Sequence, residues 1–319
     1  MLIIAVIATL LVTACGVTRG EEASGLHRLR MMVPNSPGGG YDLTARTAVK
    51  IMEDDDITGR IEVFNVIGAG GTVAMARLMN EKGNGDLMMM MGLGVVGATY
   101  TNGSKARASD ATALAKMIED PGAIFVPADS PFKTVQDFVA AWKADPSKVT
   151  IGGGSSPGGP DHLFPMETAK AVGVDPQAVN FVSYDGGGDL LTALLGNKIT
   201  VGTSSPGEFI DQIEAGQLRV LAVSSDKRVE GIDAPTLKEA GIDLTFANWR
   251  GVLAPPGISD DQKQALVKVL EEMHDTPQWK EALVKNGWTD AFVTGAQFEE
   301  FLKEQDTRVS ATLTDLGLV

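Results

Sequence analysis

The stretch Gly152-Gly153-Gly154-Ser155-Ser156-Pro157-Gly158-Gly159-Pro160-Asp161-His162 decides how this chain is interpreted. It follows a short apolar run, Val149–Ile151, and it precedes residues with the apolar spacing of a helix. A glycine-rich turn between a strand and a helix suits three functions: a serine nucleophile turn, a phosphate loop, or a helix N-terminus that binds an anion. The rest of the chain has to discriminate between them.

Length and charge limit the classes of function. With 319 residues, the chain is long enough for about two domains, each with a sizeable core. Its formal net charge of −14 argues against nucleic-acid binding, which needs a basic surface. No Walker A lysine follows a glycine loop, and Gly68–Gly71 lacks the full dinucleotide-binding spacing. We therefore expect no nucleic-acid partner, no cofactor and no metal, and we expect a monomer.

The N-terminal residues have the pattern of an export and anchoring segment. Leu2–Ala14 is almost continuously apolar and has the length of a signal-peptide core. The following Cys15 is the single cysteine of the chain, and Val12–Cys15 resembles the bacterial lipobox, although no Lys or Arg precedes the apolar run. We predict a signal peptide over 1–14, a lipid-anchored tether over 15–26, and an extracytoplasmic, membrane-anchored protein. A buried N-terminal strand with an incidental thiol is the alternative.

Strand and helix patterns alternate from Leu26 onward, which predicts an α/β fold with mainly parallel sheets flanked by helices. The central block repeats the pattern of the first block, so we predict two lobes: 27–127 together with 250–319, and 128–249. The apolar strands Ala123–Pro127 and Gly251–Ala254 are expected to be the crossings between the lobes.

Capping signals place the helices of the C-terminal part. Ser259-x-x-Gln262 and Thr294-x-x-Gln297 read as capping boxes, and Pro277 suits the first position of a helix. We expect the chain after Pro256 to be entirely helical. The four methionines Met88–Met91 are expected to lie in a buried strand.

Five junctions share the order strand, Gly- and Ser-rich loop, helix: Ser36–Asp42, Gly68–Thr72, Gly152–Asp161, Tyr184–Asp189 and Ser204–Glu208. Each directs unpaired N–H groups and the positive end of a helix dipole out of the carboxyl edge of a sheet. Ligands of open α/β sheets bind at that edge. Two such lobes facing each other would form an anion clamp built largely of backbone.

A serine hydrolase is the alternative function. The turn Gly154–Gly158 matches the G-x-S-x-G pattern of a nucleophile elbow centred on Ser156. In such a turn, the residue after the nucleophile supplies an N–H to the oxyanion hole, and Pro157 has none. None of the histidines is an obvious base for Ser156; they are His27, His162 and His274.

The chain resembles the substrate-binding proteins of the tripartite tricarboxylate transporter family. The resemblance covers the chain from about Leu26 to its end. It rests on Ser36–Asp42, Gly68–Gly71, Ser155-x-x-Gly158-Gly159-x-Asp161-His162, Tyr184-x-Gly186-Gly187-Gly188 and Trp249-x-Gly251-Val252-x-Ala254-Pro255. The resemblance implies a type II-like two-lobe periplasmic-binding-protein fold, with a small tricarboxylate or dicarboxylate in the cleft between the lobes. It also implies delivery of this ligand to integral membrane subunits of a transporter driven by an ion gradient.

The resemblance implies a set of ligand-binding residues as well. The loop at Gly38–Asp42 would hold a carboxylate through backbone N–H groups, and the loop at Ser155–Gly159 would hold it from the other lobe. The set is Ser36, Gly38, Gly39, Gly40, Asp42, Gly70, Gly71, Thr72, Ser155, Ser156, Gly158, Gly159, Asp161, Tyr184 and Ser204. Whether Asp42, Asp161 and His162 contact ligand or cap helices is open. Arg46 and Arg250 are the nearest cations, and Trp249 is either a wall of the cleft or core.

Overall fold

A computed structural model describes residues 28–184 and 186–319 and gives two β-sheets with helices packed against them. The strands are β1 (Arg30–Val33), β2 (Glu62–Asn65), β3 (Leu87–Gly92), β4 (Thr112–Pro121), β5 (Ala123–Pro127), β6 (Thr150–Gly153), β7 (Asn180–Ser183), β8 (Val201–Ser204), β9 (Leu218–Val223), β10 (Ala247–Ala254) and β11 (Thr289–Thr294). The helices are α1 (Gly40–Asp54), α2 (Thr72–Asn80), α3 (Leu93–Thr101), α4 (Val135–Ala144), α5 (Pro160–Val172), α6 (Gly187–Leu195), α7 (Ile210–Glu214), α8 (Asp260–Asp275), α9 (Pro277–Asn286) and α10 (Gly295–Asp315). Cys15 and the predicted signal peptide and tether lie outside the described residues.

Each sheet and its helices form one lobe, so the two-lobe α/β fold is confirmed. The first sheet has the order β11-β4-β10-β3-β1-β2, and the second has the order β7-β6-β8-β5-β9. In both sheets the strands that precede the glycine-rich loops are parallel, β2-β1-β3 in one and β7-β6-β8 in the other. The remaining pairings are antiparallel, so the sheets are mixed rather than mainly parallel. The order β2-β1-β3-β10-β4 in the first lobe corresponds to β7-β6-β8-β5-β9 in the second.

The chain passes between the sheets at two places that differ from the expected ones. β4 ends at Pro121 and β5 begins at Ala123, yet β4 pairs in the first sheet and β5 in the second. The return runs through residues 224–246 to β10. Strand pairing therefore favours lobe boundaries near Gly122 and Phe246, because Ala123–Pro127 is hydrogen-bonded within the second sheet. We propose that the chain divides into its two lobes at these positions.

Three elements were absent from the sequence prediction. β4 was missed because charged residues interrupt its pattern. α3 was missed because it is buried on almost every side and lacks an amphipathic period. β11 is an edge strand in a part of the chain that we expected to be helical. Of the capping boxes, the one at Ser259 is present. Thr294 is the N-cap residue of α10 but makes no side-chain cap hydrogen bond, and its hydroxyl donates to Glu271 Oε1 at 3.3 Å instead.

Buried apolar residues cover both faces of the first sheet, and one of the resulting clusters continues from the first lobe into the second. Met88–Met91 are fully buried in β3, as predicted, and they face both sides of the sheet. Trp249 is 1% exposed and packs edge-to-face against Phe298 and Phe301, which makes it a core residue rather than a wall of the cleft. Over residues 28–184 and 186–319, no helix combines the length and apolarity needed to cross a bilayer.

Candidate ligand-binding site

Two loops with the same sequence, Ser-Pro-Gly-Gly, stand at equivalent places in the two lobes. Ser36–Gly39 connects β1 to α1, and Ser156–Gly159 connects β6 to α5. Each forms the same turn: φ is +84° at Gly38 and +83° at Gly158, and the N–H two positions after the proline donates to the serine carbonyl. These are the features of a type II turn, which requires glycine at its third position. The repeated tetrapeptide is the sequence signal that marks the two loops as equivalent.

Asp42 stabilises the first loop instead of facing the ligand cavity. Its carboxylate accepts hydrogen bonds from the Gly38 N–H at 2.9 Å, from Arg46 Nε at 2.9 Å and from Asn65 Nδ2 at 2.9 Å. Although burial opposes ionisation, these hydrogen bonds and the Arg46 charge hold the pKa of Asp42 below its usual value. The Gly38 N–H is therefore taken, contrary to the expectation that it would hold a ligand carboxylate.

The second loop uses its donors internally. The Gly158 N–H donates to His162 Nδ1 at 3.0 Å, and the Asp161 N–H donates to Ser155 Oγ at 3.0 Å. Burial lowers the pKa of His162 to about 4, so its ring is neutral. Because its Nδ1 accepts from Gly158, His162 is a structural partner of the loop. The N–H groups of Gly158 and Asp161 are therefore not available to a ligand.

A cavity of about 690 Å³ lies between the two lobes where these loops meet. Ten of the predicted site residues line it: Ser36, Gly38, Gly39, Gly40, Gly70, Gly71, Ser155, Ser156, Gly159 and Asp161. Five do not: Asp42, Thr72, Gly158, Tyr184 and Ser204. The structure therefore gathers residues from all five predicted junctions around one space, whereas contact of any of them with ligand stays a prediction.

The five residues outside the cavity wall have local contacts. Thr72 Oγ1 donates to the Ala69 carbonyl at 3.0 Å at the start of α2. The Tyr184 ring lies close to the backbone of Gly152. Ser204 Oγ donates to Glu208 Oε2 at 3.3 Å, below the cavity. Gly158 packs against Gly97 of α3.

α3 brings the lobes into contact along one side of the cavity. A Cβ on Gly97 would overlap the Gly158 carbonyl oxygen, so only glycine permits this approach. Thr101 Oγ1 donates to the Pro157 carbonyl at 3.2 Å, again across the two lobes. Gly70 lies near Ser156, whose Oγ is 3.4 Å from the position of a Cβ on that glycine. These contacts close the cavity on the α3 side.

Arg250 is the cation of the site, and sequence reasoning ranked it only as a candidate. It is 2% exposed on β10, its Nη2 lies 2.5 Å from Asp120 Oδ2, and its Nη1 donates to Thr44 Oγ1 at 2.9 Å. Of the described residues that line the cavity, Arg250 alone is a lysine or arginine. Burial raises the pKa of Asp120 to about 6, even though Arg250 acts to lower it.

The walls of the cavity carry more negative than positive charge. Asp161, Asp189, Glu208 and Asp211 line it together with Arg250. Desolvation, with the nearby Glu208 and Asp120 carboxylates, raises the pKa of Asp161 well above its usual value. Desolvation also raises the pKa of Glu208 against the influence of Arg250. Asp189 and Glu208 lie in the first turns of their helices and also line the cavity.

Comparison with known proteins identifies the family of this chain. The family model described as "Tripartite tricarboxylate transporter family receptor" matches residues 48–318. The chain belongs to this receptor family. The family's members are extracytoplasmic solute-binding receptors rather than enzymes, so this receptor is not a serine hydrolase.

Several proteins resemble the receptor over most of its length. A "UPF0065 protein in gbd 5'region" of Cupriavidus necator is 29% identical over 300 residues, covering 91% of this chain and 88% of the relative. The crystal structure of a TctC solute-binding protein from Polaromonas, without ligand, has a TM-score of 0.68 at 26% identity, covering 91% of this chain and 98% of the other. MatC of Rhodopseudomonas palustris with bound malate has a TM-score of 0.77 at 21% identity, with coverages of 90% and 98%.

Proposed function

We propose that this receptor captures a small carboxylate, of the dicarboxylate or tricarboxylate class, in the cavity between its lobes. It would act outside the cytoplasm as a lipoprotein anchored through Cys15, and it would deliver the ligand to the integral membrane subunits of a tripartite tricarboxylate-type transporter. The lipobox pattern of the sequence and the family of the receptor support these finer assignments.

The observation that carries the proposal is the start of α1. Gly40 and Tyr41 line the cavity, and no acceptor pairs with their N–H groups among the residues that the structure describes. Unpaired N–H groups and the positive end of the helix dipole favour an anion at this place. The Arg250 guanidinium also lies beside Gly40, where it adds positive potential although it is paired with Asp120. Malate, the ligand named for MatC, is a dicarboxylate of this chemical class.

Ligand binding would be coupled to the approach of the lobes. Both lobes contribute to the cavity wall, so a bound ligand would contact both and would stabilise the closed arrangement in proportion to its differential affinity. The membrane subunits would then recognise the surface that closure creates. Such a receptor needs no bond chemistry.

A thermal-shift screen of the purified mature protein tests the proposal. The panel contains malate, succinate, citrate, adipate, aspartate and 2-aminoadipate. A ligand at one hundred times its Kd should add about 2.7 kcal/mol of stability. Gly40→Ala should remove the shift, because its Cβ would overlap Arg250 Nη2 at the anion site.

Gly59→Ala is the matched control, since no atom lies within 4 Å of its Cβ position, and it should keep the shift. A panel without any stabilising carboxylate would refute the proposal. So would a Gly40→Ala variant that responds like the unmodified receptor.

A further inference from the structure

We propose that the ligand of this receptor carries a protonated amine beside its carboxylate, and that a recess formed by Asp120, Asp161 and Glu208 holds the amine. The inference rests on the proposed function, because it specifies which carboxylates the cavity accepts. In this proposal, the acidic side chains of the cavity wall act as counter-ions for the ligand amine.

The recess is a separate small space beside the main cavity. Its volume is about 10 Å³, which is about the smallest space that admits one water-sized group. Its polar lining consists of Asp120, Asp161, Ser204, Ser205, Glu208 and Asn248. Asp161, Glu208 and Asn248 also line the main cavity, so the recess lies at the boundary of the ligand space.

Two oxygen atoms at the recess lack a hydrogen-bond donor. Asp120 is fully buried, and its Oδ2 pairs with Arg250. Its Oδ1 has no donor at hydrogen-bond geometry in the described part of the chain, although the Ser205 hydroxyl is near enough to lower the pKa of this carboxyl. The buried Asn248 Oδ1 is also without a donor in those residues. Buried polar atoms are almost always paired, so these oxygens indicate a missing donor group. A protonated amine supplies three donors and no acceptor, which matches a lining rich in oxygens.

The charge balance points to the same kind of group. Three carboxylates surround the recess, and Arg250 is already paired with one of them. A ligand that brought only carboxylates would add negative charge beside Asp161 and Glu208. A ligand ammonium would instead favour the ionised forms of Asp161 and Glu208, whose pKa values burial raises, and the attraction would be stronger than in water because the site is buried.

The positions of the two binding groups limit the ligand to a compact molecule. Glu208 Oε1 lies 3.0 Å from the position of a Cβ on Gly40, the first residue of α1, and Oε2 lies 2.6 Å from that on Gly187. The proposed carboxylate position at α1 and the proposed amine position at Glu208 are therefore adjacent. Small amino acids, in which the two groups are separated by one or two carbon atoms, fit this arrangement.

Matched ligand pairs test the inference. Malate carries a hydroxyl where aspartate carries an ammonium group, and adipate carries a hydrogen where 2-aminoadipate carries an ammonium group. Isothermal titration at pH 7.5 should give a Kd at least about tenfold lower for an aminated acid than for its partner, as expected for charge-assisted hydrogen bonds. Glu208→Gln should weaken the aminated acid about tenfold and leave its partner unchanged or tighter. Asp161→Asn should act in the same direction.

Glu214→Gln on α7, exposed and outside the cavity wall, is the control and should keep the preference. Equal or tighter binding of the unaminated acids would overturn the inference and leave the carboxylate proposal intact. Binding of an unaminated acid that requires sodium would show that the recess holds an inorganic cation, which also overturns it. If no member of either pair binds while succinate or citrate does, the inference is overturned and the carboxylate proposal stands; if no member of the whole panel binds, the carboxylate proposal fails as well.

Discussion

Arg250→Met should destabilise the receptor strongly, because it leaves Asp120 as a buried carboxylate without its partner. The two side chains are 3% and 0% exposed, and the ion pair spans 2.5 Å. Removing one member of a buried pair costs about 3–5 kcal/mol. At about 2 °C per kcal/mol for a chain of this size, Tm should fall by about 6–10 °C at pH 8.

The pH dependence of this loss has a definite sign. The pKa of Asp120 in the folded protein, about 6, already lies above its ordinary value of 3.8, so the folded state favours the protonated form. Without Arg250, which lowers it, this pKa rises further. Protonation relieves the uncompensated charge, and the destabilisation of Arg250→Met should therefore be smaller at pH 5 than at pH 8.

A double-mutant cycle followed by thermal and urea unfolding provides the measurement. Asp120→Asn in the Arg250→Met background should restore at least half of the lost stability, because the buried charge is removed. Arg228→Met is the matched control: its ion pair with Glu239 is exposed, so the same substitution should cost at most about 1 kcal/mol. A loss below about 1 kcal/mol at pH 8 for Arg250→Met, or no rescue by Asp120→Asn, would refute the reasoning.

Three further predictions concern closure, titration and anchoring. Gly97→Ala should hold the lobes apart, because its Cβ would overlap the Gly158 carbonyl at a cost of about 1–3 kcal/mol, and ligand affinity should fall about 5–150-fold. If small-angle scattering shows that this variant becomes as compact with ligand as the unmodified receptor, the prediction is wrong. Asp161→Asn should raise Tm more at pH 8 than at pH 5, because a carboxyl whose folded pKa is raised costs stability above that pKa; unfolding scans with an equal gain at both pH values would argue against it. Cys15→Ala should release the receptor from the membrane fraction, and retention there would rule out the lipid anchor.

Local sequence signals predicted a large part of the fold. The strand–loop–helix junctions, the buried methionine strand and the capping box at Ser259 all depend on residues close together in the chain, and all are present. The three elements that the sequence did not predict lack such local signals. β4 and β11 are strands because of the partners with which they pair, and α3 is a helix enclosed by other elements, so none carries a strong local pattern.

The first loop illustrates the limit at the level of the site. Its sequence predicted a glycine-rich turn with free N–H groups before a helix, and the turn is there. Which N–H groups remain free was decided by Asp42, whose side chain turns back to accept from Gly38. The unpaired N–H groups available to an anion are therefore those of Gly40 and Tyr41.

By itself, the sequence determined the alternation of strands and helices, the glycine turns at their junctions and the family, because these follow from local backbone preferences and motif order. The tertiary structure alone decided the electrostatics of the cavity. Arg250 and Asp120 are 130 residues apart in the chain, and Asp161 and Glu208 belong to two different junctions. Their meeting depends on how the strands pair and how the lobes face each other, and burial then changes their pKa values, which no local pattern encodes.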